Sequence, residues 1–267
     1  MAGAQAVLGA AGCALVGGHS CEGAELALGF TVTGHAAEEA LMRKGGLRAG
    51  QALLLTKPLG TGLLLKAGMV QRAKARWVAG ALDAMQESNG PAASVAAAAG
   101  VRACTDVTGF GLVGHVGEMA AASGVCVHLD AAAVPLLEGV REVLAAGVRS
   151  SLHAQNARVA ALLTNTEEAL ALPLWPALVD PQTAGESRAG AEELRCDEDG
   201  AGGRGQCLAL RTRSRHLRTG GLLFGVEADS AAALVAALRA AGCTETAIIG
   251  HVTACSDDKA VQRITCR

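Results

Sequence analysis

The stretch from Thr105 to His115, TDVTGFGLVGH, contains the residue types in this sequence that are best suited to chemistry. Asp106 stands at the predicted end of a strand, just before two glycines and the predicted start of a helix. A carboxylate there can bind Mg²⁺, and glycines let backbone N–H groups approach a phosphate at the positive end of the helix. The pattern is typical of nucleotide chemistry, but an aspartate that caps the helix is the simpler explanation.

Three other glycine-containing segments are candidates for binding. Val16 to Ser20 (VGGHS) places a histidine and a serine after a glycine pair, which a turn between strands explains equally well. Thr56 to Gly62 (TKPLGTG) places Lys57 before a helix, but it lacks the Gly-Lys-Ser/Thr of a P-loop, so a P-loop kinase is disfavoured. Asp180 to Gly185 (DPQTAG) indicates a turn when it is taken alone.

Apolar periodicity and glycine positions predict that these segments lie in a mixed order of helices and strands. The predicted strands cover residues 13–16, 25–34, 51–55, 103–107, 125–130, 222–226 and 247–252. The predicted helices cover residues 1–11, 63–74, 74–99 with a break at Pro91, 112–123, 135–145 and 230–241. An α+β domain is the economical interpretation. The two N-terminal strands are too few for a sheet, so we expect their partners upstream of Met1.

Composition excludes several classes of protein. Lys and Arg number 23 against 25 Asp and Glu, which gives no electrostatic footprint for nucleic acid or for an acidic membrane surface. The apolar runs are interrupted long before they could span a bilayer. The nine cysteines include no CxxC pair, so we expect reduced thiols and neither a zinc site nor a redox pair. A cytoplasmic or organellar enzyme is consistent with these features.

In their order along the chain, these segments resemble the selenophosphate synthetase family. The matching pieces are GGHS, EGAELALGFTVTG, LTKPLGTG, TDVTGFGLVGHVGEM, VPLLEGV, DPQTAG and AIIGHV, and DVTGFGLVGH is the most specific of them. The resemblance implies the α+β fold of the aminoimidazole ribonucleotide synthetase superfamily. Residues 37–267 would form its C-terminal α/β domain, and residues 1–36 would be the tail of the N-terminal ATP-binding and dimerisation domain.

The resemblance also implies a reaction in which selenide, ATP and water give selenophosphate, AMP and phosphate, with Mg²⁺ required in a homodimer. Asp106 would then be a Mg²⁺ ligand. The loop that contacts ATP across the dimer interface is matched by Gly17, Gly18, His19 and Ser20. The family's nucleophile, a cysteine or selenocysteine, its nearby lysine and its other aspartate ligands precede this loop. We therefore expect the catalytic residues upstream of Met1, and we assign no role to Cys13 or Cys21.

Two alternatives to an incomplete synthetase remain open from the sequence. The chain could be a non-catalytic module that pairs with a complete subunit, because a loop that acts across a dimer interface would serve its neighbour. It could also be another ATP-dependent enzyme of the same superfamily, since one fold hosts several chemistries. In each case ATP is the expected ligand, and nucleic acid and membrane are not expected partners.

Residues Glu186 to Gly220 interrupt the resemblance. They are rich in Arg, Gly and acidic residues and show little apolar periodicity, so they cannot bury much surface. The family reads DPQTAGGLL without a break, whereas here DPQTAG ends at Gly185 and GLLFG resumes at Gly221. We interpret the segment as translated intron, with a genuine surface loop as the alternative, and we expect its two flanks to be adjacent in space.

Overall fold

The computed structural model describes residues 2–24, 28–182, 220–255 and 263–267. The chain divides into two compact units, Met1–Thr33 and Gly34–Arg267, and each is described by itself. Of the predicted insertion, only Gly220 falls within the described residues. No helix in these ranges combines the length and the apolar character needed to cross a membrane.

The N-terminal unit begins with the predicted helix, α1 (Ala2–Ala10), in which no residue is buried. The strands predicted over residues 13–16 and 25–34 are not formed in the described part of these segments, residues 13–16 and 28–34. Their apolar side chains are exposed, Val16 at 95% and Val32 at 73%. The prediction was wrong here because a strand-prone sequence forms a sheet only where neighbouring strands and a buried face are available.

The C-terminal unit is built on a six-stranded mixed sheet, and this confirms the predicted α+β class. The strands are β1 (Gln51–Leu55), β2 (Ala103–Asp106), β3 (Val125–Leu129), β4 (Leu222–Glu227), β5 (Ala247–Ala254) and β6 (Ile264–Cys266). They are ordered β2-β4-β1-β5-β3-β6, and every neighbouring pair is antiparallel except β3 and β6. The sequence predicted the first five of these strands; β6 is only three residues long, too short for a periodicity signal.

The helices connect and cover these strands. They are α2 (Thr61–Met69), α3 (Ala75–Gln86), α4 (Gly90–Ala98), α5 (Gly111–Ser123), α6 (Val140–Ala145), α7 (His153–Asn156), α8 (Thr166–Ala171), α9 (Trp175–Leu178) and α10 (Ala228–Ala240). Pro91 lies in the first turn of α4, as the sequence predicted, because that position needs no amide donor. The short helices α7, α8 and α9 carry too few turns to show a period and were not predicted.

Apolar side chains fill one face of the sheet and cover the other face over β1 and β4. On one face α5 packs against β2, β3 and β6, and its Val116 and Met119 join a buried cluster with apolar residues of β1, β3 and β4. On the other face α4 and α10 cover β1 and β4, where Leu54 and Phe224 are fully buried. A third cluster joins α2, α3 and α6. The core is therefore built mainly from Ala, Val and Leu, which is consistent with an aromatic content of only 2%.

One feature of the C-terminal unit contradicts the sequence expectation of reduced, unpaired thiols. Cys126 on β3 forms a disulfide with Cys255, just after β5, and the two Cα atoms are 5.1 Å apart. The pair is separated by 129 residues in sequence. It could not be recognised from spacing, because it depends on β3 and β5 being neighbours in the sheet. The free cysteines of the described residues are Cys13, Cys21, Cys104, Cys243 and Cys266.

Candidate functional site

The candidate site is the loop between β2 and α5, and Asp106 is the last residue of β2. Its side chain is exposed, and its carboxylate accepts no hydrogen bond from the residues described here. The Thr105 hydroxyl donates instead to the backbone carbonyl of Asp106. Helix α5 begins after Phe110, which provides no side-chain cap. Asp106 therefore does not cap the helix, and the simpler explanation weighed from the sequence is wrong. Its carboxylate oxygens are free to bind a cation such as Mg²⁺, which prefers oxygen ligands.

A single carboxylate does not make a complete magnesium site. No group of three or more His, Cys, Asp or Glu side chains in the described part of the chain is placed to hold a metal ion. Asp106 fits the hard, anionic ligand that Mg²⁺ requires, and the first-turn amides of α5 have the polarity that suits a phosphate. The role of Asp106 as a metal ligand stays a prediction.

His115 holds the loop from the side of α5. Its Nε2 atom lies 3.0 Å from the backbone nitrogen of Thr108 and 3.2 Å from the Thr108 hydroxyl. Its Nδ1 atom lies 3.2 Å from a carboxylate oxygen of Glu118, which in turn forms a 2.8 Å ion pair with Lys44. Because Nε2 accepts from a backbone amide, the imidazole proton must lie on Nδ1, facing Glu118. Burial lowers the pKa of His115, which favours this neutral form.

The two ends of the interrupted DPQTAG–GLLFG sequence hold the loop from the other side. The backbone amide of Gln182 donates to the Thr108 carbonyl at 3.0 Å, and the backbone amide of Val107 donates to the Gly221 carbonyl at 2.8 Å. A Cβ atom on Gly220 would lie 1.6 Å from the Val107 carbonyl oxygen and 2.9 Å from the Gln182 Cβ atom. Only glycine can occupy this position. The flanks of the insertion are therefore adjacent in space, as the sequence analysis expected.

Asn156 and Gly111 complete the support of the loop. The Asn156 side-chain amide donates to the carbonyls of Gly109, at 2.8 Å, and Val179, at 2.9 Å. Gly111 has a φ of +72°, and a Cβ atom there would lie 2.6 Å from the Val179 backbone. The backbone that follows Asp106 is thus fixed by α5, by α7 and by the segment that leads to Gln182. This is the preorganisation that a phosphate or metal site requires.

Asp180 and Gln182 cap the start of α2, a role that their sequence context, which indicated only a turn, did not predict. The Gln182 side-chain oxygen accepts hydrogen bonds from the amides of Gly60 and Thr61, and Asp180 Oδ2 accepts from the amide of Leu63. The two side chains therefore satisfy the open N–H groups at the start of α2. The only available signal was the occurrence of Asp and Gln at the end of the apolar run LWPALV, since buried polar residues need partners.

Asp180 is fully buried, and burial raises the pKa of its carboxyl group to about 7. Hydrogen bonds from Leu63 and Gln182 oppose this effect but do not cancel it. Ser150 Oγ lies close enough to influence the carboxyl group, yet neither it nor Asp180 Oδ1 has a partner with hydrogen-bond geometry in the described structure. Oδ1 is therefore unpaired among the described residues. This leaves the charged form of Asp180 poorly compensated.

Lys57 lies in the segment TKPLGTG but does not face a phosphate-binding turn. It is 6% exposed, and its ammonium group donates to the carbonyls of Ala84 and Glu87 at the C-terminal end of α3. A cation is favourable there because of the helix dipole and the open carbonyl groups. Burial lowers the pKa of Lys57. The residue joins β1 to α3, which agrees with the exclusion of a P-loop.

The predicted ATP-contacting residues lie in the N-terminal unit. Gly17, Gly18, His19 and Ser20 are all exposed and have no regular secondary structure. Asp106 belongs to the C-terminal unit. The role of the GGHS loop in ATP binding stays a prediction.

Replacing His115 with Leu is expected to lower the free energy of unfolding by about 1 kcal/mol, because the Thr108 amide loses its acceptor and must turn to water. Urea unfolding monitored by circular dichroism measures the change. His35→Leu is the control, since His35 is exposed in a segment without regular structure. Equal unfolding midpoints for the two variants would show that the His115 contact contributes nothing.

Comparison with known proteins agrees with these features. Residues 48–262 match the family described as AIR synthase related protein, C-terminal domain. A protein of Trichlorobacter lovleyi named selenide, water dikinase is 45% identical over 148 residues, which is 55% of this chain and 43% of the relative. One of the same name from Pelobacter propionicus is 33% identical over 245 residues, which is 91% of this chain and 60% of the relative.

Among solved structures, E. coli HypE, a hydrogenase maturation protein, is similar with a TM-score of 0.49 and 20% identity, over 80% of this chain and 47% of that one. The chain spans about half the length of the curated relatives that it matches. The residues around Asp106, Gln182 and Gly221 lie within the span matched by the family. The chain therefore belongs to the AIR synthase related family through its C-terminal domain, and its resemblance to selenophosphate synthetase is confirmed.

Proposed function

We propose that this chain supplies part of the active site of an enzyme that makes selenophosphate, AMP and phosphate from selenide, ATP and water. The observation that carries the proposal is the loop after Asp106, which is fixed by His115, Asn156 and Gln182 and leaves the carboxylate exposed. Relatives named selenide, water dikinase at 33–48% identity support this choice of reaction.

In this proposal Asp106 is a Mg²⁺ ligand. The ion would neutralise charge on the phosphates of ATP during phosphoryl transfer, and the rest of the chain would hold the ligand in place. Gly17, Gly18, His19 and Ser20 would contact ATP across the interface of a homodimer. The remaining metal ligands and the nucleophile would come from residues outside this chain.

Replacing Asp106 with Asn tests the metal role. The upstream part of the Pelobacter propionicus relative, joined to this chain, provides a longer enzyme for the assay. At limiting Mg²⁺ we expect AMP formation to fall by about tenfold or more, because a neutral amide is a poor ligand for a hard cation. The free energy of unfolding should stay within about 0.5 kcal/mol, as for other exposed substitutions.

Asp229→Asn is the matched control, since Asp229 is an exposed acidic residue in the first turn of α10. Normal Mg²⁺ dependence of the Asp106 variant would contradict the metal role. If the joined enzyme made no selenophosphate with Asp106 intact, the proposed reaction itself would lose its support.

This chain by itself is expected to show no selenide-dependent cleavage of ATP, because Asp106 alone cannot position the phosphates and the nucleophile. ³¹P NMR of purified protein with ATP, Mg²⁺ and selenide measures selenophosphate directly. Selenophosphate formed by this chain, and lost in Asp106→Asn, would show that the residues of this chain suffice for catalysis.

A further inference from the structure

The outer face of β3 and β5 differs from the rest of the sheet. On β3, Val125, Val127 and Leu129 point into the main core, whereas Cys126 and His128 alternate with them on the opposite face. Helices α4 and α10 cover this opposite face over β1 and β4. Over β3 and β5 the same face carries Cys126, His128, Thr253 and His251 beside one exposed apolar residue, Ile248.

Two histidines lie side by side on this face. His128 on β3 and His251 on β5 are direct cross-strand partners, and their rings are stacked with centroids 4.9 Å apart and an interplanar angle of 15°. Neither imidazole forms a hydrogen bond to any other described residue. Burial is the main cause that lowers the pKa of His128, and the nearby positive charges of His251 and Arg267 lower it further. A neutral imidazole with free nitrogen atoms is the form that binds a metal ion.

Cys126 adds a third ligand, a cysteine sulfur, to the same face. It precedes His128 by two residues, which on a strand places the two Cα atoms about 6.6–6.8 Å apart with side chains on one side. Its sulfur is occupied by the disulfide to Cys255. A guanidinium nitrogen of Arg263 lies 3.5 Å from the Cys255 sulfur. A positive charge there stabilises the Cys255 thiolate and so favours its departure when a reductant attacks Cys126.

We propose that reduction of the Cys126–Cys255 disulfide opens a Zn²⁺ site formed by the Cys126 thiolate and the imidazoles of His128 and His251. Two molecules of a small thiol reduce the bond, giving two cysteine thiols and one thiol disulfide. Binding of Zn²⁺ then releases the Cys126 proton to solvent. One cysteine and two histidines leave the fourth tetrahedral position to water. With the disulfide closed, only the two histidines remain, and the described residues form no three-ligand site.

Co²⁺ is the probe for this site because it takes the place of Zn²⁺ and its bond to a thiolate absorbs in the near ultraviolet. The purified chain is titrated anaerobically with Co²⁺ after treatment with a phosphine reductant, and again in its oxidised form. We expect the thiolate band only in the reduced protein, together with an affinity about tenfold or more higher than that of the oxidised protein. Competition with Zn²⁺ should abolish the band.

Substitutions decide where the metal binds. Cys126→Ser should remove the thiolate band, and His128→Asn or His251→Asn should weaken binding by about tenfold or more. Cys21→Ser and His35→Asn are matched controls in the N-terminal part of the chain and should change nothing. Cys255→Ser leaves Cys126 free without any reductant, so it should bind Co²⁺ with the thiolate band even under oxidising conditions.

The Cys255→Ser variant also shows whether loss of the disulfide by itself unfolds the protein, since it lacks the disulfide but retains all three ligands. A thiolate band that survives Cys126→Ser would place the metal at other cysteines and overturn the proposal. Equal Co²⁺ affinity in the reduced and oxidised proteins would do the same, as would absence of the band from a folded Cys255→Ser variant. None of these results depends on selenophosphate synthesis.

Discussion

Asp180→Asn is expected to stabilise the protein by about 4 kcal/mol more at pH 8 than at pH 4, each time relative to the unsubstituted chain. The pKa of Asp180 is raised from 3.8 to about 7 in the folded protein. The folded state therefore holds this proton more tightly than the unfolded state does. The stability that the protonated Asp180 carboxyl contributes is fully present below pH 4 and is lost as the pH rises through 7. Asparagine cannot ionise, so the free energy of unfolding of the variant does not fall in this way as the pH rises.

The geometry favours asparagine as the replacement. Its amide oxygen can accept the hydrogen bond from Leu63 that Asp180 Oδ2 now accepts. Its amide nitrogen can face the Ser150 hydroxyl, in place of an oxygen that has no partner in the described structure. Urea unfolding of both proteins at pH 4, 6 and 8 measures the difference, with the exposed Asp229→Asn as control. Parallel stability curves for Asp180→Asn and the unsubstituted protein would refute the effect.

Removing residues 186–220, so that Gly185 is followed by Gly221, is expected to raise the free energy of unfolding by about 2 kcal/mol, from the lower cost of closing a shorter loop. The join restores DPQTAGGLL, and Gly185 then takes the position of Gly220 against Val107. The flanks already meet at the loop after Asp106. Chemical denaturation and the yield of monomeric protein measure the outcome.

A second variant separates loop length from sequence. Replacing residues 186–219 with a Gly-Ser linker of equal length should leave stability close to that of the unchanged chain. If the linker variant and the shortened chain were both unfolded, the native segment would have a structural role, and the intron interpretation would be wrong. Sequencing of the mature transcript tests the same interpretation independently: a predominant message that retains these codons contradicts it.

Local patterns predicted the part of the site that is local in sequence. The strand that ends at Asp106, the glycine loop and the start of α5 follow from residues within one short segment. The support of that loop did not follow, because Asn156, Gln182 and Gly221 approach it from distant parts of the chain. The cap of α2 did not follow either, because Asp180 and Gln182 lie far along the sequence from the helix whose first amides they accept. Helix start and stop signals are local and do not reveal such a cap.

The dependence on residues that are distant in sequence also explains the other structural features that the sequence did not predict correctly. The disulfide between Cys126 and Cys255 depends on strand order, which spacing does not encode. The N-terminal segments around Val16 and Val32 have strand-like composition but no pairing partner in the described structure. β-propensity reflects how well a residue fits a half-buried sheet, so composition alone cannot establish a strand.

The distance between α2 and its capping residues also bears on the order of events during biosynthesis. The side chain of Gln182 contacts Gly60 and Thr61 across 121–122 positions, and the central strand β1 pairs with β4 and β5, both near the end of the chain. Contacts of such high separation form slowly and only after most of the polypeptide has been synthesised. The central part of the sheet can therefore form only after translation has passed β5, and until then β1 lacks one or both of its neighbouring strands.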